Sequence, residues 1–292
     1  MVTTIQQQQT IPQFTTSNGG SIKEFLQTTY VVFKRQNFRL LAMKSQVVAM
    51  IAMPLMWLLI MAPSFNNLIP SGANGIGGVD YVSFITAGIL IQVTMFSSLF
   101  GSINLFFDRD SGYLKNYLIA PISRFAIFFG YTLGLFTRIS IQVAVILILS
   151  YLMGSELHLT PIHLLAILAI ILLVTIFIFG FSVTVAAKAE NVEAFQAILM
   201  PITMPLMFLS PIMYPLDALP KVLRYFARLN PITYGVESVR GTLFGNSFIS
   251  APLFDIAIIR NNVLLFNVLV LFILAFGFLY LGSKAFIRSL NK

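Results

Sequence analysis

Apolar runs recur along the chain at about residues 47 to 62, 81 to 107, 125 to 150, 162 to 187, 195 to 214 and 263 to 283, separated by short polar stretches. An α-helix rises 1.5 Å per residue, so roughly 20 apolar residues cover the hydrocarbon core of a bilayer. Most of these runs reach that length. The first is short, and Lys44 can snorkel to extend it. The pattern predicts an all-α polytopic membrane protein with six transmembrane helices.

Composition supports this. The chain is 58% hydrophobic and 10% charged, with mean hydropathy +0.88, whereas a soluble domain carries about a quarter charged residues. Residues 1 to 20, rich in Gln, Thr and Ser without an apolar core, predict a disordered cytoplasmic tail rather than a signal peptide. There is no cysteine, which removes disulfides and thiolate metal sites. His158 and His163 flank Pro161 without a third ligand nearby, so no metal site is expected.

Charge assigns the topology. Lys23, Lys34, Arg35, Arg39 and Lys44 precede the first run and predict a cytoplasmic amino terminus. Residues 63 to 80 and 151 to 161 carry no Lys or Arg, while residues 108 to 124 carry Arg109, Lys115 and Arg124. With six spans the basic tail, Lys284, Arg288 and Lys292, is cytoplasmic too. Residues 215 to 260 break the rule, since they lie outside by parity yet hold Lys221, Arg224, Arg228, Arg240 and Arg260. Either the run 195 to 214, with prolines at 201, 205 and 211, fails to cross, or these cations serve something other than topology.

The second option finds support in the local pattern. From Asp217 as N-cap, Leu219, Val222, Leu223 and Phe226 share one helical face and Lys221, Arg224 and Arg228 the opposite one, a basic amphipathic helix. Asn230 caps a second helix with Pro231 at its first position. Ile232, Val236, Val239 and Leu243 form its apolar stripe, Glu237 and Arg240 a surface pair at i, i+3, and Gly245 its stop. Two short helices over about 217 to 245, dipping into one leaflet, are expected.

The stretch SPIMYPLDALPKVLRYFARLNPITYGVESVRG resembles the signature region of the ABC type-2 exporter permeases, whose fold is shared with the G-type ABC transporters. The shared features are Pro211 and Pro215, then Asn230, Pro231 and Tyr234, with Glu237 and Arg240 downstream. The resemblance implies one transmembrane domain over residues 21 to 292, with an extracytoplasmic re-entrant helix pair before the last span. It further implies a coupling helix at about 108 to 120 seated on an ATPase subunit. The residues matched there are Asp108, Arg109, Asp110, Gly112, Tyr113, Leu114, Tyr117, Pro121 and Arg124, with Asp108 and Asp110 standing where Glu is commoner. Residues 21 to 44 fit the family's cytoplasmic interface helix, with Ser21 and Glu24 as a capping box and Ile22, Phe25, Leu26, Thr29 and Phe33 on one side.

No G-x-x-x-x-G-K-[ST] motif is present, so the chain is not expected to bind ATP, and ATP and Mg belong to partner subunits. No cofactor or catalytic residue is expected in the chain itself. The ten acidic residues fall in loops or at span ends, which disfavours an ion-coupled secondary transporter as the less favoured alternative. Arg138 lies about 21 Å along a helix from Arg124 and shares a face with Gly130 and Gly134, a small-xxx-small packing pair. It either bonds to acceptors within the bundle or meets an anionic group on cargo or lipid. The resemblance implies a permease, paired with a second permease chain in a homodimer and driven by ABC ATPase subunits; a bacterial-type plasma membrane is the default expectation, with both termini cytoplasmic by the charge pattern. The cargo expected is an amphiphilic drug or lipid, with a polysaccharide or sodium as the alternative, and no nucleic acid.

Overall fold

The computed structural model describes residues 22–42, 48, 52, 54–60, 63–64, 80–112, 123–155, 157, 159–245 and 262–289. Every element among them is helical. They are α1 (Ile22–Ala42), α2 (Tyr81–Asp110), α3 (Arg124–Leu152), α4 (Pro161–Val185), α5 (Val192–Phe208), α6 (Lys221–Leu229), α7 (Pro231–Phe244) and α8 (Val263–Ser289), with a 3-10 turn at Leu216–Ala218.

Four of these helices, α2, α3, α4 and α8, have the length and apolarity to cross a bilayer. Capping side chains set where several helices begin. Asp80 accepts from the Ser83 N–H at 3.0 Å, Asn191 from Ala194 at 2.8 Å and Thr160 from His163, with Pro161 following as the first helical residue. His163 is thereby placed in the first turn of α4, while His158 lies outside the described residues.

The other two runs of the six-span expectation are not long spans among the described residues. In the first run residues 48, 52 and 54–60 are helical, and 47, 49–51, 53, 61 and 62 lie outside the described residues. The fifth run is a helix of 17 residues that ends at Phe208 instead of reaching 214. Pro201 and Pro205 lie inside it and remove two of its backbone donors, and the chain leaves the helix before Pro211.

α2 is the most enclosed span, in contact with α3, α4, α5 and α7. Polar side chains tie it to α3: Ser97 donates to Gln142 at 2.7 Å, and the Thr86 and Ser150 hydroxyls meet at 2.7 Å. α8 packs along α4, where Gly180 and Gly282 let the two backbones touch. Its other face, with Leu265, Leu269, Phe272, Ile273 and Phe276, is apolar and exposed, as a lipid-facing surface requires.

Candidate functional site

Two constellations stand out, at opposite parts of α2. The first surrounds the short helices. α6 begins at Lys221 after Pro220 rather than at Asp217, which sits in the 3-10 turn and forms an ion pair with Arg224 at 3.2 Å. Pro215 immediately precedes that turn, and Pro220 stands at the N-cap of α6. Val222, Leu223 and Phe226 are exposed, so the apolar face of α6 has no protein cover among the described residues.

Asn230 joins three helix ends. Its Oδ1 accepts from the Ile232 N–H at 3.0 Å, which caps α7, and its Nδ2 donates to the carbonyls of Leu206 at 2.7 Å and Leu209 at 3.1 Å. Those carbonyls belong to the end of α5, where helical partners run out, and the Ser210 N–H bonds to Met207. Thr233 and Tyr234 then donate to Ala227 and Arg228, the last carbonyls of α6, at 2.6 and 2.9 Å. The capping role of Asn230 is legible in the sequence, whereas its grip on α5 is not.

α7 buries the expected stripe of Ile232, Val236, Val239 and Leu243, and stops at Gly245 with φ +87°. Glu237 and Arg240 are not a surface pair. They are 6% and 2% exposed, because α7 is enclosed by α2, α4 and α8 and has no solvent side there. The Arg240 guanidinium lies 3.6 Å from the centre of the Phe84 ring and donates to the Ile212 carbonyl at 3.3 Å. Gly88 admits that carbonyl: a Cβ at this position would sit 2.0 Å from its oxygen. Pro211 is buried in the same connection, and the Tyr81 hydroxyl donates to Met213 at 3.3 Å.

The second constellation lies at the far end of α2. Asp108 is buried and accepts from Arg35 at 3.4 Å, from Arg39 at 3.1 Å and from the Tyr131 hydroxyl, so one carboxylate joins α1, α2 and α3. Arg109 stacks on the Phe106 ring at 3.6 Å, donates to the Ala189 carbonyl at 3.1 Å and lies 3.9 Å from Asp110. The acidic-Arg-acidic triplet is therefore the last turn of α2, which continues past 107, rather than the opening of a separate helix. Gly112, at φ +72°, turns the chain after it. Tyr113, Leu114, Tyr117 and Pro121 lie outside the described residues, and α3 resumes at Arg124. By the sequence pattern Arg35 and Arg39 are charges that set topology. Their i, i+4 spacing was the signal that both face one partner.

Gly130 and Gly134 pack against α1, not against another span. A Cβ on Gly130 would lie 2.7 Å from Val32 and one on Gly134 2.6 Å from Gln36. Phe25 stacks near Phe125 and Phe129, and Thr29 donates to the Ala126 carbonyl at 3.4 Å, so α1 runs parallel to the first turns of α3. On α1 Thr29 and Val32 are buried and Phe25 is half-buried, whereas Ile22 and Leu26, expected on that face, are exposed. Ser21 lies outside the described residues. Arg138 continues the Gly130–Gly134 face, is half-buried, and lies within electrostatic reach of Arg39.

Comparison with known proteins places residues 27–244 within the profile of the family described as "ABC-2 type transporter". The chain is 29% identical over 241 residues to the protein named "Putative transport permease ycf38" of Cyanophora paradoxa, covering 82% of each chain. It is 29% identical over 218 residues to the protein of the same name from Porphyra purpurea, covering 74% of each. It is 25% identical over 173 residues to "Nodulation protein J" of Rhizobium leguminosarum bv. trifolii, covering 59% of this chain and 65% of that one.

Proposed function

We propose, from the premise that the chain belongs to the ABC-2 type transporter family, that it is the permease subunit of an ATP-driven exporter for an amphiphilic drug or lipid-like cargo. ATP and Mg are bound by separate ATPase subunits, and two copies of the chain form the path. Six spans with both termini cytoplasmic, and α6 and α7 re-entrant from the far side, complete the arrangement in a bacterial-type plasma membrane.

The observation that carries the reading is the junction at Asp108. An ATPase pressing on the connection between α2 and α3 would act on a segment anchored by side chains to both sides. Asp108 passes displacement to α1 through Arg35 and Arg39 and to α3 through Tyr131, while Arg109 passes it to Ala189, in the connection between α4 and α5. Side-chain contacts of this kind let neighbouring helices move as a body, as alternating access requires. At the other end, α7 is packed deeply enough for helix motion to reach the hairpin.

An ion-coupled carrier remains the second reading because Glu237 is a buried carboxylate, and Arg240 one turn away supplies it with a nearby positive charge. A polysaccharide or sodium exporter on the same fold is the alternative for cargo. Co-purification with candidate ATPase subunits, followed by transport into sealed vesicles, tests the proposal. ATP-dependent uptake that stops when ATP is withheld supports it, and a chain that binds no ATPase and transports without ATP refutes it.

A further inference from the structure

We propose that the seam between α1 and α3 is a binding site for a phosphate-type oxyanion, held by Gln36, Arg39 and Arg138. The inference deepens the permease reading and rests on it only for the nature of the surroundings.

The charges at this seam do not balance. Arg35 and Arg39 share a single carboxylate, Asp108, and Arg138 lies within electrostatic reach of Arg39. That carboxylate is already engaged: Oδ2 receives Arg35 and Tyr131, and Oδ1 receives Arg39. Arg138 has no hydrogen bond or ion pair among the described residues, and Arg39 adds a like charge beside it. Among the described residues three guanidinium groups thus stand beside one carboxylate, in a place where a membrane protein ordinarily pairs each charge.

A second observation comes from a neutral group. The Gln36 Nε2 is buried and has no acceptor. Gln36 packs on Gly134, one helical turn before Arg138, and lies one turn before Arg39 on α1. The small side of α3 thus sets a buried amide donor without an acceptor and two guanidinium groups along one seam. Arginine forks and amide N–H groups are the donors that bind phosphate oxygens, and a tetrahedral anion offers enough oxygens to meet donors arriving from two helices. Arg39 is about a third exposed, which leaves the seam open to a ligand.

The phosphate could belong to an acidic lipid headgroup or to a soluble phosphate compound. The full-length chain, purified in neutral detergent, is titrated with phosphatidylglycerol and separately with inorganic phosphate, with phosphatidylcholine as the neutral comparison, and bound ligand is counted by native mass spectrometry. The wild type is expected to bind at least one probe in preference to phosphatidylcholine. Arg138→Gln and Gln36→Leu each weaken that binding about tenfold, Arg138→Lys recovers part of it, and Lys188→Gln, which removes an exposed charge elsewhere, leaves it unchanged. Saturable binding of phosphatidylglycerol alone identifies a lipid headgroup, and competition by inorganic phosphate identifies a soluble group. Wild-type affinity in Gln36→Leu and Arg138→Gln, or an equal loss in Lys188→Gln, overturns the site. If Arg138→Gln does not fold, Gln36→Leu decides alone. No ATPase or transport enters the readout, so failure of the permease reading and failure of this site are separate results.

Discussion

Arg240 stacks on Phe84, its guanidinium 3.6 Å from the ring centre, in a position where 2% of the residue reaches solvent. A cation so enclosed depends on the ring face, the Ile212 carbonyl and the nearby Glu237 carboxylate for what water would otherwise supply. Arg240→Leu leaves that carbonyl without its donor, and Arg240→Lys keeps the charge but loses the planar stack. The expected order of destabilisation is Leu above Lys, with Arg240→Leu costing about 2–4 kcal/mol. Thermal unfolding of the purified variants in lipid nanodiscs measures it, and equal melting temperatures for Arg240→Leu and wild type would show that the stack contributes nothing.

Asn230 separates two roles that one substitution can pull apart. Asn230→Asp retains an oxygen to cap Ile232 but replaces the Nδ2 donor by an oxygen facing the Leu206 and Leu209 carbonyls. Asn230→Ala loses the cap and the donor together. Capping alone is worth about 1 kcal/mol. If the link to α5 matters as much as the cap, Asn230→Asp melts well below wild type despite its intact cap; a melting temperature indistinguishable from wild type would reduce Asn230 to a cap.

Gly88 tests the close approach of the chain after α5. An added methyl meets the Ile212 backbone oxygen at 2.0 Å, and backbone cannot swing aside as a flexible side chain does. Gly88→Ala is expected to destabilise by about 1–3 kcal/mol and to displace the Ile212 carbonyl from Arg240. Ala at this position in a helix should otherwise be favourable by propensity, so a stabilised variant would contradict the geometry.

Asp108→Asn removes the charge shared by Arg35 and Arg39 while keeping the side chain's size. Because both arginines are partly exposed, water offsets some of the loss, and about 1–2 kcal/mol is expected. The local effect is the sharper readout. The chain has no native cysteine, so a single Thr29→Cys reports on whether α1 stays seated against Ala126. Faster maleimide labelling of that cysteine in the Asp108→Asn background is expected, and unchanged labelling would show that the carboxylate does not hold α1.

Local pattern alone determined several elements of this protein. The long apolar runs gave α2, α3, α4 and α8, because a helix in lipid must be apolar over its length and that demand is written residue by residue. The Asn230–Pro231 start, the Ile232–Val236–Val239–Leu243 stripe and the Gly245 stop were legible for the same reason: each depends on neighbours within a few positions. What surrounds those elements was decided only by tertiary structure. A Glu/Arg pair at i, i+3 looks alike on a wet surface and in a crowded interior, and only the packing of α2, α4 and α8 about α7 buries Glu237 and Arg240. Asp108 meets Arg35 and Arg39 across some seventy residues of chain, and Gly134 meets Gln36 across nearly a hundred. Helical periodicity specifies which side of a helix is apolar, but it carries no information about which helix arrives to cover it.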